Sequence, residues 1–264
     1  MFDTAGATSA QTKIGNGEYW WNRYPTEYPD VTVFPADGTP LINDVRQGGA
    51  GTCYLMSSIA AVAEQPQLIK DVFLVDNKND AGIYAFTLHI RGKPWVVDID
   101  DEMLWQFPPP YVAQLVYSQL DQTNSVIWSA LLEKAWAKIR GSYDQAYAGQ
   151  NENGMRLLTG VPIFTKYGED ITDTAEATAA WQELKAADTR GFFMNAGTSG
   201  ESDQTSNSCG IANSHSYTIA AVFELTYTPA GGSETTEKVF LMRNPWGETG
   251  YTSTFNKDDA VWND

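Results

Sequence analysis

The apolar positions of the chain repeat with two periods, one helical and one typical of strands. A helical spacing of i, i+3, i+4 and i+7 begins at Cys53, and Pro66 limits the helix that it predicts. A second helix is predicted from Trp128 to Ile139, and Gly141 follows in the right place to end it. Residues 175–187 predict a third helix.

Mixtures of β-branched, aromatic and polar residues predict the strands. Segments 83–90 and 93–100 are typical of one hairpin. Segments 216–227 and 238–243 predict a second, antiparallel hairpin around a turn-rich loop, and residues 191–195 add a strand. The predicted organisation is a helical first part followed by a strand-rich second part, which is an α+β fold.

The first 43 residues and the length of the chain add little to this predicted organisation. Residues 1–43 show little periodicity and are predicted to be mostly loop. With 264 residues and 42% apolar content, the chain can form one large domain or two lobes around a sizeable core.

The chain is acidic, with a formal net charge of -16. This charge repels nucleic acid and anionic lipid, so we expect neither as a partner. It suits calcium or a basic peptide, although an acidic solvated surface is the commoner meaning of such a charge.

The opening segment, Met1 to Gly17, is small and polar, so the sequence predicts neither a signal peptide nor a membrane span. A bridge between the two cysteines, Cys53 and Cys209, would suit a secreted protein. Without a leader we expect a reducing compartment, a free Cys53 and a cytoplasmic location.

The candidate chemistry begins at Gln47-Gly-Gly-Ala-Gly-Thr-Cys53. A thiol at a helix start lies near unpaired N–H groups and the positive end of the macrodipole, which favours thiolate. An amide side chain such as that of Gln47 can donate to the oxyanion formed when a thiolate attacks a carbonyl. These residues predict half of a cysteine-protease site, with Thr52 as a candidate helix cap.

Two histidines can complete that site. His89 lies inside a predicted strand without a partner motif, which favours a structural role. His215 starts one strand of the second hairpin and Asn244 ends the other, so they should be neighbours despite a separation of 29 positions. A histidine can accept the thiol proton, an asparagine can hold its tautomer, and Trp246 can shield their contact from water.

These motifs resemble the calpain protease core, a branch of the papain-like cysteine proteases. The segment from Gln47 to Met56 resembles QGxLGDCWLL, and the helix from Trp128 to Tyr143 resembles WSALLEKAYAKLNGSY. Ser214-His215-Ser-Tyr-Thr-Ile resembles GHAYSV, and Arg243-Asn-Pro-Trp-Gly-Glu248 matches RNPWGE. The similarity covers about residues 40–255, in the family's order.

The resemblance implies a papain-like fold of two lobes with the active site in the cleft between them. A helical lobe, residues 1–158, would carry Cys53 and Gln47. A β-rich lobe, residues 159–264, would carry His215, Asn244 and Trp246, with the join near residues 158–161. The implied activity is cleavage of internal peptide bonds in proteins, with protein or peptide substrates and a possible proteinaceous inhibitor as partners.

The resemblance also implies calcium as a regulatory cofactor, and no organic cofactor is expected. Asp44 and Glu133 match acidic ligands of the first lobe by motif position, although Glu133 could instead be a helix-surface partner of a nearby lysine. In the second lobe Gly250 replaces a liganding glutamate, and Asp258 and Asp259 lie near the next ligand position.

Three residues depart from the family pattern. Thr52, Tyr54 and Ser214 replace the usual Asp, Trp and Gly beside the cysteine and histidine. Two alternatives to a peptidase therefore stay open. One is a calcium-responsive binding module that keeps the fold with impaired catalysis, and the other is transfer chemistry on the same thioester.

Overall fold

The computed structural model describes residues 18–108, 113–120, 125–229 and 231–263. The α-helices are α1 (Tyr24–Glu27), α2 (Cys53–Val62), α3 (Pro66–Val72), α4 (Trp128–Arg140), α5 (Asn151–Thr159) and α6 (Thr174–Thr189). The strands are β1 (Tyr19–Arg23), β2 (Ile83–Ile90), β3 (Lys93–Asp100), β4 (Glu102–Gln106), β5 (Gln114–Leu115), β6 (Met194–Gly197), β7 (Ser216–Tyr227) and β8 (Thr235–Arg243). Short 3₁₀ turns occupy Ile42–Asp44, Gly168–Asp170 and Ala260–Asn263.

The strands form three antiparallel sheets, ordered β1-β4-β5, β2-β3 and β6-β7-β8. Both predicted hairpins are confirmed. Strand β2 pairs with β3 from Ile83 opposite Asp100 to Ile90 opposite Lys93. Strand β7 pairs with β8, with a bulge near Ile219. Helices with separate antiparallel sheets confirm the α+β class.

Helix α2 is buried along almost its whole length, from Tyr54 to Val62. Its apolar spacing predicted one buried face, but the helix packs against α5, β6 and β7. Two serines within it, Ser57 and Ser58, are also fully buried.

Several elements differ from their prediction. Of residues 1–43, those between 28 and 41 lie in loops as predicted, but the segment also contains β1, which pairs with β4 and leads into α1. Pro66 does not simply follow the end of α2; it occupies the first turn of α3, where a missing N–H costs nothing. Strand β6 starts and ends later than predicted, and α5 was not predicted. Met1 to Gly17 lie outside the described residues.

The apolar side chains form two cores of unequal size. The large core draws on residues between Tyr24 and Leu158. The small core is built on Trp181, Met194, Ile219 and Val222. The buried residues of the two cores lie on either side of residue 158, although Ile163 and Phe193 also pack against the large core. The division into lobes at residue 158 stays a prediction. Among the described residues, no helix is long and apolar enough to cross a membrane.

Candidate active site

Cys53 is the first residue of α2, and its thiol is partly exposed. Thr52 precedes it at the N-cap position, but its side chain makes no capping hydrogen bond. Its hydroxyl instead donates to Glu133 Oε1 on α4 at 2.5 Å. The prediction of a threonine cap was therefore wrong, because a buried carboxylate competes for the hydroxyl.

The surroundings of the Cys53 thiol differ from the expected thiolate site. Burial raises the pKa of Cys53 above its ordinary value, while hydrogen bonds from the Ser216 and Tyr54 backbone N–H groups lower it. Desolvation outweighs the helix start, so the isolated thiol holds its proton at neutral pH. Ionisation then depends on a base, and the Ser216 contact places the thiol beside the chain that carries His215.

His215 is 3% exposed, and its Nε2 lies 2.9 Å from Asn244 Oδ1. The same Asn244 oxygen accepts the backbone N–H of Trp246 at 3.0 Å. Because this oxygen is an acceptor, Nε2 carries the imidazole proton and Nδ1 offers a lone pair. His215 Nδ1 is buried and has no hydrogen-bond partner among the described residues.

The pKa of His215 is lowered by burial, although its hydrogen bond with Asn244 raises it. The imidazole is therefore neutral at pH 7 and able to accept a proton. Trp246 covers it, with ring centroids 4.1 Å apart, and Tyr217 approaches it edge-on at 5.0 Å. Trp246 thus lies where the sequence predicted a shield.

Gln47 is 6% exposed, and its Nε2 donates to Ala50 O at 2.8 Å. An amide nitrogen carries two hydrogens, so one remains for a ligand. The backbone N–H of Gln47 donates to Pro245 O at 2.8 Å, which ties this segment to the loop after Asn244. Gly48 passes so close to Tyr117 O that a Cβ would lie 1.4 Å from it. The glycine link therefore fixes Gln47 by close backbone packing.

The three predicted calcium ligands do not converge. Asp44 is fully buried, and its Oδ2 accepts from Leu41 N at 2.8 Å and from Trp128 Nε1 at 2.9 Å. Asp258 is exposed and pairs with its neighbour Lys257. Among the described residues, no group of three or more His, Cys, Asp or Glu side chains could hold a metal ion.

Glu133 is fully buried, so the alternative of a surface partner for lysine was wrong. Its Oε1 accepts from Thr52 and its Oε2 accepts from Ser118 N at 2.7 Å. Burial raises the pKa of Glu133 to about 7. Calcium needs six to eight oxygens, but these carboxylates meet N–H and O–H donors. The arrangement of these residues does not fit a calcium site.

The other candidates take structural places. Cys53 and Cys209 are both free thiols, so the bridge considered above does not form. His89 lies in β2 opposite Pro94 and beside Gly160. Asp259 accepts from the N–H groups of Phe255 and Val261, which organises a surface loop.

Sequence reasoning missed the polar contacts that connect the two parts of the site. Ser57 on α2 contacts Ser216 on β7 at 2.8 Å, and Thr218 Oγ1 donates to Ser57 O at 2.7 Å. The available signal was a pair of adjacent serines inside an otherwise apolar helical pattern. Such serines need partners when buried, and here the partners come from the far end of the chain.

Comparison with known proteins agrees with this geometry. Residues 4–264 match the family model described as calpain family cysteine protease. Calpain-8 of Mus musculus is 30% identical over 261 residues, which cover 98% of this chain and 34% of that protein. Calpain-5 of Caenorhabditis elegans is 27% identical, covering 92% and 40%. The Calpain-2 catalytic subunit of Bos taurus is 28% identical, covering 92% and 33%.

The chain spans about a third of the length of these curated relatives. The family match nevertheless extends over nearly all of the chain, well beyond the motifs around Cys53 and His215. The chain belongs to the calpain family of cysteine proteases.

Proposed function

We propose that the chain is a cysteine endopeptidase whose nucleophile is Cys53 and whose base is His215. The observation that carries this proposal is the 2.9 Å contact between His215 Nε2 and Asn244 Oδ1. It leaves Nδ1 as a buried lone pair on the residue next to Ser216, whose N–H contacts the thiol. A base oriented by an amide beside a thiol is the arrangement that thiol proteolysis needs.

The proposed reaction has two steps. The thiol proton moves to His215 Nδ1 while sulfur attacks the peptide carbonyl, and the imidazolium then protonates the leaving amine. Water attacks the resulting thioester, His215 accepts its proton, and the thiol and a carboxylic acid are released. The free Nε2 hydrogen of Gln47 and the N–H of Cys53 are the donors that we assign to the oxyanion.

Calcium regulation is a separate hypothesis that rests on the family. Asp44 and Glu133 are already paired with internal donors, so no step of the proposed reaction uses the ion. Activity that is equal in calcium and in chelator would agree with this arrangement. A requirement for calcium would show that both carboxylates rearrange.

The alternative is a binding module with impaired catalysis, motivated by Thr52, Tyr54 and Ser214. Tyr54 is buried, its hydroxyl donates to Ala146 O at 2.8 Å, and Trp136 Nε1 donates to that hydroxyl. Its ring therefore belongs to the core behind α2. Ser214 has a positive φ of 44°, a conformation that suits the usual glycine better, and its strain is the observation that favours this alternative.

We propose protein or peptide substrates as partners, and a proteinaceous inhibitor as a further partner. We also propose a cytoplasmic location.

The proposed function is tested by labelling with an epoxysuccinyl thiol inhibitor, once in calcium and once in chelator. Mass spectrometry identifies the labelled residue. We expect an adduct on Cys53, no adduct at position 53 in Cys53→Ala, and much weaker labelling of Cys53 in His215→Ala at neutral pH. Cleaved peptide with hydrolytic product masses would exclude transfer, and an unlabelled Cys53 would favour the binding module.

A further inference from the structure

Four polar side chains form one hydrogen-bonded row beneath the candidate catalytic pair. Asn195 Nδ2 donates to Ser57 Oγ at 3.1 Å, Ser57 Oγ lies 2.8 Å from Ser216 Oγ, and Ser216 Oγ donates to Asn151 Oδ1 at 2.5 Å. We call these four residues the interlobe row.

The hydrogens of the interlobe row can be assigned by counting donors. Ser216 donates its hydroxyl hydrogen to Asn151, which leaves Ser57 as the donor in the Ser57–Ser216 bond. At 2.8 Å this bond is shorter than the alternative from Ser57 to Tyr54 O at 3.3 Å. Ser57 in turn accepts from the Asn195 amide. Every bond therefore points the same way, an arrangement in which each bond polarises and strengthens the next.

The interlobe row alternates between the two halves of the chain. Asn195 belongs to β6, Ser57 to α2, Ser216 to β7 and Asn151 to α5. Each of its three bonds therefore crosses from one predicted lobe to the other. Ser57 and Ser216 are 0% and 3% exposed, so water cannot replace a lost partner without opening the contact.

Two members of the row are attached directly to the reacting residues. Ser57 lies one helical turn after Cys53 and so projects from the same side of α2. Ser216 follows His215 in the chain, and its backbone N–H contacts the Cys53 thiol. A shift in the Ser57–Ser216 bond would change the separation of sulfur and imidazole.

We propose that the interlobe row is the positioning device that sets Cys53 against His215, an inference that rests on the function proposed above. None of its members touches substrate in this role; they act through the two residues beside them. The row is uncharged, and none of its four side chains titrates near neutral pH.

Asn151 is the position at which to test the row, because it is only half-buried and stands at the start of α5. Asn151→Leu removes the terminal acceptor at similar volume. Asn151→Asp keeps an acceptor oxygen, and an acidic residue is favourable in the first turn of a helix. Tyr24→Phe is the matched control, since it removes a buried hydroxyl–hydroxyl bond of 2.7 Å to Tyr84, far from the cleft.

Two readouts distinguish positioning from stability. The first is kcat and KM for a peptide substrate. The second is the rate of Cys53 alkylation by iodoacetamide at pH 7 relative to pH 10. At pH 7 the thiol ionises only through His215, whereas raising the pH to 10 increases the fraction that ionises without a base. The ratio therefore reports the alignment of the pair whether or not the protein cleaves peptides.

We expect Asn151→Leu to lower kcat by about tenfold or more, with little change in KM, and to lower the alkylation ratio. Asn151→Asp should restore both, and Tyr24→Phe should leave both unchanged while lowering the melting temperature. A wild-type ratio in a folded Asn151→Leu variant would overturn the proposal, as would equal losses in Asn151→Leu and Tyr24→Phe. If the parent chain cleaves no peptide but Asn151→Leu still lowers the alkylation ratio, the peptidase function is refuted and the positioning role is kept.

Discussion

The half of the molecule that carries Cys53 differs from the half that carries His215 in what holds it together. Cys53 begins a helix that is buried in the large core, which extends from Tyr24 to Leu158. His215 lies immediately before β7, whose own core is small and whose neighbour β8 exposes Phe240 and Leu241. The proposed nucleophile thus lies on a frame that apolar burial stabilises, whereas the proposed base depends more on hydrogen bonds to that frame.

The largest expected effect compares one tryptophan from each core. Trp128→Ala should lower the free energy of unfolding by about 3–5 kcal/mol, because Trp128 is fully buried and its Nε1 donates to Asp44. Trp181→Ala should cost less, since Trp181 packs in a core of only four buried residues among those described and its buried Nε1 has no partner there.

Urea denaturation of both variants measures this difference. Equal losses would mean that the small core is as well packed as the large one. The contrast between the two halves would then have to be abandoned.

The next effect concerns the oxyanion. Gln47→Ala should lower kcat by about 100- to 1,000-fold, the cost of one missing donor, with little change in KM. Gln119→Ala is the matched control, because Gln119 Nε2 donates to backbone carbonyls of the same region and lies outside the proposed reaction. Steady-state kinetics measure both, and similar losses in the two variants would remove Gln47 from the reaction.

Asn244→Ala should lower kcat by about 100-fold, because the imidazole loses its orientation but remains present. This factor is near the lower limit of the rate enhancement that a general base supplies. The stability of the first half should not change. Asn22→Ala, whose side chain donates to Glu27 far from the cleft, controls for the substitution itself. A kcat close to that of the parent chain would show that Trp246 alone can hold the imidazole.

The same variant changes the pH dependence in a predictable direction. The pKa of His215 lies below its ordinary value because of burial, and the Asn244 bond partly opposes that shift. Activity that needs the neutral imidazole should therefore persist as the pH falls through 6.5, the usual pKa of histidine, and be lost below it. In Asn244→Ala the loss should move to still lower pH. A profile of kcat/KM against pH measures the shift, and a move to higher pH would contradict the assigned cause.

The smallest effect is expected at Asp258. Asp258→Asn should change the free energy of unfolding by less than about 1 kcal/mol, because its pair with Lys257 is exposed on both sides. Calcium titration of this variant by calorimetry should match the parent chain. A lost calcium signal would restore Asp258 as a ligand in a rearranged second half.

The sequence predicted those parts of the site that depend on local patterns. The hairpin of β7 and β8 follows from alternation and a turn-rich loop, and its antiparallel register brings His215 beside Asn244. The position of Cys53 at a helix start follows from the apolar spacing behind it. Both inferences need only contacts that the chain order itself implies.

The remaining features depend on contacts between distant segments, which periodicity does not encode. Thr52 fits the pattern of a helix cap, but Glu133, 81 positions later, accepts its hydroxyl. Helix α2 shows one apolar face, yet its polar Ser57 is also buried, against Ser216 of β7. The effect of burial on the pKa of Cys53 likewise outweighs a helix-start effect that the sequence alone makes visible.

The close passage of Gly48 past Tyr117 has a practical consequence for protein engineering. Any side chain at this position would occupy the space of a backbone oxygen, so the segment behind Gln47 has no room for variation. Gly49 is similarly confined by Val116 O. Libraries that diversify this chain should keep both glycines and vary exposed positions instead, such as residues 204–208.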